Sequence, residues 1–224
     1  VKPFILIVSA FLLFSACARL PAVTRVRPAT MPDIHNNCQI PFVRNNWQFV
    51  HAIQTTMPGG HTGIMMGVTD IYPDVRTLHC VMMTIEGLVM FDAGYADGTV
   101  VINRGIPPFD SKNFAQGVMD DICLMFFRPV NQPEEIGLLD DGQPVCRYPA
   151  GNDQTIEVMV RPHVGWTLRL YRGQRLVRTI NAFNGPGDFS SEQDRIPERI
   201  ELIAYSPLPY HLELTRLEAI PLSD

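Results

Sequence analysis

A chain of 224 residues, 46% hydrophobic and 18% charged, has the composition of a folded protein with material for one sizeable core. Its net charge of −5 argues against a general nucleic-acid binder, so no partner of that kind is expected. After the opening residues no apolar run is long enough for a membrane helix, and there is no repeat or low-complexity tract.

Near the start stand Lys2 and a predominantly apolar stretch from Phe4 to Ala16. That stretch falls short of the ~20 residues a spanning helix needs, and its charge, core and small residues fit a cleaved secretory signal over residues 1–16. Phe14-Ser15-Ala16-Cys17 resembles a bacterial lipobox, in which the cysteine is acylated and becomes the first mature residue. This resemblance implies that Cys17 is a lipid anchor. Ala18 in place of an aspartate after it implies the outer membrane of a Gram-negative cell, facing the periplasm. The alternative is an ordinary signal with an incidental cysteine.

Residues 17–45 carry Pro21, Pro28, Pro32 and Pro41 with few apolar residues in register, which predicts an extended tether. The folded domain is expected over 46–224. Strand alternation starts at Trp47: residues 47–56 put Trp47, Phe49, His51 and Ile53 on one face. Further strands are predicted at 64–72, 76–85, 88–95 and 98–103, with a tight turn at Glu86-Gly87. Over 110–127 the period changes to that of a helix, with Phe114, Val118, Ile122 and Met125 recurring on one face and Arg128-Pro129 ending it. A polar loop spans 130–144. Strands follow near 145–148, 155–161, 166–172, 175–182, 198–205 and 210–218. This order predicts a large antiparallel sheet with a helix on one face, an α+β fold that is mostly β.

Four cysteines remain after Cys17. Their spacing matches no zinc motif, and no metal is expected. An oxidising compartment favours one disulfide; Cys123–Cys146 is the pair expected, with Cys38 competing for either partner and Cys80 a buried thiol. No nucleophile elbow, HExxH helix, phosphate loop or dinucleotide motif occurs, so neither catalysis nor a cofactor is indicated. His51 and His79 read as sheet residues, Asp92 to Gly98 as a turn, and the adjacent Asp120 and Asp121 as the solvated side of the helix.

The closing pair of strands, Pro197-x-x-Ile200-x-Leu202 and Tyr210-x-Leu212-x-Leu214, resembles the LolA/LolB-like carriers and lipoproteins. The central GVTDIYPDVRTLHCVMMTIEGLVMFDAGY, followed by the helix with Val118-Met119-Asp120-Asp121-Ile122, resembles uncharacterised outer-membrane lipoproteins of that superfamily. The resemblance covers roughly residues 45–220. It implies an unclosed antiparallel β-barrel whose concave face is covered by a helix over an apolar cavity for acyl chains. The sequence departs from those carriers at its start, where prolines stand in place of an N-terminal helix.

On that frame the expected cavity wall is Phe114, Val118, Ile122 and Met125 from the helix, facing Phe49, Met66, Met83 and Leu168 from the strands. The methionines suit an ordinary core, or a surface that adapts to varied chains. A basic hairpin, WTLRLYRGQRLVRT, sets Arg172 against Arg175 and Arg169 against Arg178 if Gly173-Gln174 form its turn. Like charges directly opposed are unfavourable without an anion nearby, which marks these four arginines as a headgroup contact, or else as charges that keep an edge hairpin soluble. The partners implied are acyl chains of lipid or lipoprotein, a membrane through the anchor, and an envelope protein. A structural lipoprotein with a filled core, docking to an envelope complex, is the competing reading. An accessory subunit of lipid-tail synthesis is indistinguishable from the carrier in sequence.

Overall fold

The computed structural model describes residues 19–161, 164–185 and 191–223; the signal segment and Cys17 lie outside the described residues. Near the start come β1 (Thr24–Arg25) and α1 (Met31–Asn37), the latter entered through Pro28–Thr30, a single tight helical turn. An antiparallel meander follows: β2 (Trp47–Thr56), β3 (Thr62–Tyr72), β4 (Thr77–Met83), β5 (Val89–Ala96) and β6 (Thr99–Gly105). Helix α2 (Lys112–Phe126) then separates the meander from β7 (Glu135–Leu138), β8 (Pro144–Pro149), β9 (Gln154–Arg161), β10 (Gly165–Arg172) and β11 (Arg175–Phe183). The short α3 (Glu192–Arg195), β12 (Arg199–Ala204) and β13 (Tyr210–Pro221) complete the chain.

All strands join one 13-stranded sheet in the order β1-β7-β8-β9-β10-β11-β12-β13-β2-β3-β4-β5-β6. Strands β1 and β6 are its two ends, so the barrel is unclosed. Its two halves meet where β13 pairs with β2, from His211 opposite Thr56 to Pro221 opposite Trp47.

Alternation decides which face is packed. Trp47, Phe49 and His51 point inward from β2, next to Thr69 and Ile71 of β3 and Leu78, Cys80 and Met82 of β4, all buried. Helix α2 lies on this inner face through Ala115, Met119, Ile122, Met125 and Phe126. The Phe126 ring stacks on Phe49 at 5.0 Å, and Phe49 in turn stacks on Trp47 at 6.0 Å. His51 is enclosed between the Phe49 and Phe126 rings.

The segment expected to be a tether is instead built into the domain. Ile34, Cys38 and Phe42, at helical spacing, bury their side chains in the same core. Gln39 Nε2 donates to the Tyr148 hydroxyl at 2.9 Å. Cys38 is bonded to Cys146 on β8, which corrects the expected Cys123–Cys146 pair. Cys123 is a half-buried free thiol on α2, and Cys80 is a buried one on β4.

Residues 19–25 cross the outer face. Arg19 bridges to Arg175, Leu20 N–H donates to the Gln174 carbonyl, and Thr24 and Arg25 pair with Leu138 and Gly137. Gly137 is required at that edge, because a Cβ there would sit 2.3 Å from the Thr24 carbonyl oxygen. Beneath this strap Val23 packs on Leu139, Val145 and Met159. Four charged residues stand in register across β7–β10: Glu135, Arg147, Glu157 and Arg169. Arg147 donates to Glu157 from Nε and Nη2 at 3.0 and 2.9 Å, and to Glu135 from Nη1 at 2.9 Å. The Pro21 carbonyl accepts a further bond from its Nη2.

The enclosure of His51 has a measurable result. Burial, helped by the charge of Arg216, holds its imidazole down at about 4, against an ordinary 6.5. Between those values the unfolded chain binds a proton that the folded one refuses. Stability therefore falls as pH drops from 6.5 towards 4, by at most roughly 3 kcal/mol. Urea midpoints of wild type and His51→Phe should diverge over that window and run parallel above it. Parallel curves throughout would refute the assignment.

Candidate functional site

Helix α2 stops at Phe127-Arg128-Pro129, as the proline requires. Here a cleft of about 500 Å³ opens between the C-terminal half of α2, residues 127–131, and the adjoining ends of β9, β10 and β11. Leu124, Phe127, Ile156, Leu170 and Val177 give it apolar surface, while Arg76, Arg128, Arg172 and Arg178 bring four guanidinium groups. Against these stand two lining carboxylates, Asp120 and Asp121. A smaller recess of about 230 Å³ lies between residues 39–44, Phe126 and residues 195–197.

Each wall has a local cause. Arg76 sits in the β3–β4 turn at φ +50°, where its guanidinium reaches the Arg128 carbonyl at 2.8 Å and lies 5.1 Å over the Phe127 ring. On β11, Arg178 donates from Nε to Asp121 at 3.0 Å and lies over the Tyr210 ring, whose hydroxyl donates to the same carboxylate. Burial raises the pKa of Asp121, opposed by Arg178 and by the Tyr210 hydrogen bond. Burial also pushes the Tyr210 phenol up, with the Asp121 charge adding to it. Asp121 and Arg178 therefore meet the cleft with their charges already matched. Gly117 lines the cleft from α2, and a Cβ built on it meets nothing within 4 Å.

The expected wall residues lie elsewhere. Phe49 and Leu168 are wholly buried, and Ile122 and Met125 pack beneath α2 in the same core. Phe114 meets Phe109 edge-on at 5.0 Å, and Val118 is half-buried against the core. Met66 and Met83 oppose each other across β3 and β4, in the alternate register to the inward Thr69, Cys80 and Met82 and so on the outer face. None of the eight lines the cleft. Two strips of α2 have helical spacing, and the side chains that fit against Phe49 belong to the Ala115-Met119-Ile122-Phe126 strip.

The basic hairpin is also rearranged. Arg172 does oppose Arg175, but an irregularity between Leu170 and Tyr171 places Arg169 opposite Thr179 and Leu170 opposite Arg178. Arg169 reaches Glu157 at 3.4 Å and Arg178 reaches Asp121, so internal carboxylates engage both. Arg172 and Arg175 are exposed, and Arg172 lines the cleft. Asp121 is buried, contrary to the solvated side expected for it, whereas Asp120 is exposed and accepts from Gln116. The signal that marks Asp121 is its place among Val118, Leu124 and Met125, three and four residues away: a carboxylate within an apolar strip needs a cation. His79, half-exposed, bonds Asp92 at 2.8 Å. Among the described residues no group of His, Cys, Asp and Glu is placed to hold a metal ion, and no helix is long and apolar enough to cross a membrane.

No family model matches the chain, and no curated protein sequence matches it significantly. Solved structures do. A LolA superfamily protein of Nitrosomonas europaea aligns with 87% of this chain and 94% of its own, at 12% identity and a TM-score of 0.53. A lipoprotein-sorting protein domain of Vibrio parahaemolyticus, described as a putative outer-membrane one, aligns with 87% of this chain and 93% of its own, at 11% identity and a TM-score of 0.44. The first likeness establishes a LolA/LolB-like fold: one unclosed antiparallel sheet with few helices, packed on its inner face by α2.

Proposed function

We propose that this protein is a lipid-anchored, non-enzymatic binder of acyl amphiphiles at the periplasmic side of the outer membrane. Its fold resembles a LolA superfamily protein, and the lipobox-like FSAC makes Cys17 the anchor. The observation that carries the reading is the cleft. Apolar side chains, Leu124, Phe127, Ile156, Leu170 and Val177 among them, face a space of about 500 Å³ that four arginines border, within the ordinary size range of small-ligand sites. An acyl chain loses water against Leu124, Phe127, Ile156, Leu170 and Val177, at about 25 cal/mol per Å² buried. Its acidic end meets Arg128 and Arg172, since arginine binds carboxylate or phosphate through two parallel hydrogen bonds.

Gly117→Trp tests this cleanly. The new ring has open space and replaces a poor helix former, so stability should hold or rise slightly. Affinity for a fluorescent fatty acid should fall at least tenfold. Arg128→Gln with Arg172→Gln should weaken the acid probe and spare its uncharged methyl ester.

The filled inner face supports a second reading, a structural lipoprotein that docks to an envelope complex. The Phe126–Phe49–Trp47 stack leaves no room beneath α2 at that point. Wild type that shows no saturable probe uptake would favour it over the carrier.

A further inference from the structure

We propose that the β10–β11 hairpin tip is the edge by which the protein rests on an anionic bilayer, so that the cleft opens towards the lipid. This inference rests on the anchor reading of Cys17. The described chain starts at this tip, where Arg19 bridges to Arg175 and Leu20 N–H donates to the Gln174 carbonyl. Cys17 precedes Arg19 by two residues, which span at most about 7 Å of chain. An acyl group on Cys17 therefore holds this hairpin, and no other edge of the sheet, at the membrane surface.

The tip has the chemistry for that surface. Arg19, Arg172, Gln174 and Arg175 are all exposed. Among the described residues none of the three arginines forms an ion pair. Arg172 and Arg175 face each other across the hairpin, a repulsive arrangement that an anion between them relieves. Exposed Asp153 stands beside the tip: its backbone carbonyl accepts from Gly173 N–H, and its Oδ2 would lie 3.0 Å from a Cβ on that glycine. With Asp153 paired to none of the three guanidiniums, the tip is cationic. Basic groups near an anionic surface add attraction that falls off within a Debye length.

Arg172 belongs to the tip and to the cleft alike, and Gly151 and Gln154, which flank Asp153 in the β8–β9 turn, line the cleft too. Docking by this edge places the cleft mouth against the headgroups. An amphiphile can then pass between bilayer and cleft without its chain crossing open water.

The test uses full-length acylated protein in vesicles of phosphatidylcholine and phosphatidylglycerol with brominated acyl chains, which quench indole at short range. Native Trp47 and Trp166 are buried and give a steady background. Gln174→Trp at the tip should lose at least half of its added emission. Val164→Trp, exposed at the far end of β10 and about 25 Å away along the strand, should lose little. Arg19→Gln, Arg172→Gln and Arg175→Gln together, added to Gln174→Trp, should lower the tip's quenching measurably while the anchor keeps part of it. Equal quenching at both ends, or more at Val164, in protein whose mass shows an acylated Cys17 would overturn the docking edge alone. A Cys17 peptide of unmodified mass would overturn the anchor and the docking edge with it.

Discussion

Cys38→Ala combined with Cys146→Ala is expected to lower unfolding free energy by about 4 kcal/mol in urea titrations. The bond closes a loop of 108 residues, and in the chain-entropy model closing a loop of about 100 costs the unfolded state roughly 4.7 kcal/mol. Both cysteines are buried, so the substitutions also forfeit some packing. Mapping under non-reducing conditions should recover one Cys38–Cys146 peptide pair. Burial pushes the Cys80 and Cys123 thiols each up to about 12, which leaves scarcely any thiolate at neutral pH. Both should resist alkylation until the chain is unfolded. A loss below 1 kcal/mol, or a disulfide to Cys123, would contradict the structure.

Arg147→Ala is expected to cost about 3–5 kcal/mol. Removing one member of a buried pair leaves the other charge without compensation. Glu157 is 0% exposed and would keep only Arg169, at 3.4 Å. Glu135 and the Pro21 carbonyl lose their donor at the same time. The strap should then lift, so trypsin should cut after Arg25 far sooner than in wild type. Replacing Arg147 by Met and Glu157 by Leu together should recover most of the stability, because a well-packed apolar pair often matches a buried ion pair. If the single variant proves as stable as wild type, the network has no structural weight.

The strand plan was legible because burial is one-sided. Trp47, Phe49 and His51 alternate with half-buried residues, and the predicted strand over 47–56 coincides with β2. The helix over 110–127 falls within a residue or two of Lys112–Phe126. What escaped was long-range. Prolines 28, 32 and 41 hid α1, although Ile34, Cys38 and Phe42 keep a four-residue spacing that brings all three to the core. Strand β7 has four residues and lies in a polar stretch, where pairing with β8 forms it rather than its own pattern. Two hairpin arginines, Arg169 and Arg178, were judged against neighbours in sequence, yet their partners are Glu157 one strand over and Asp121 on a helix. The cleft escaped for the same reason: five separate segments meet there, and no single stretch carries its signature.

The join between β13 and β2 also governs the order of events in time. A chain that emerges from its N-terminus delivers β2 early, yet β2 waits for Tyr210–Pro221, some 160 residues later, to cover its free edge. The strap and Cys38 must likewise wait for partners on β7 to β11. Loop-closure entropy has to be met before such distant contacts repay it, so folding is slow for a domain of this length. Until β13 arrives, the edges of β2 and β12 lie open to pairing with other chains. Synthesis from the N-terminus therefore produces an aggregation-prone interval whose length is set by the last strand, and a chain ending before Tyr210 should collect as insoluble material rather than as a smaller folded domain.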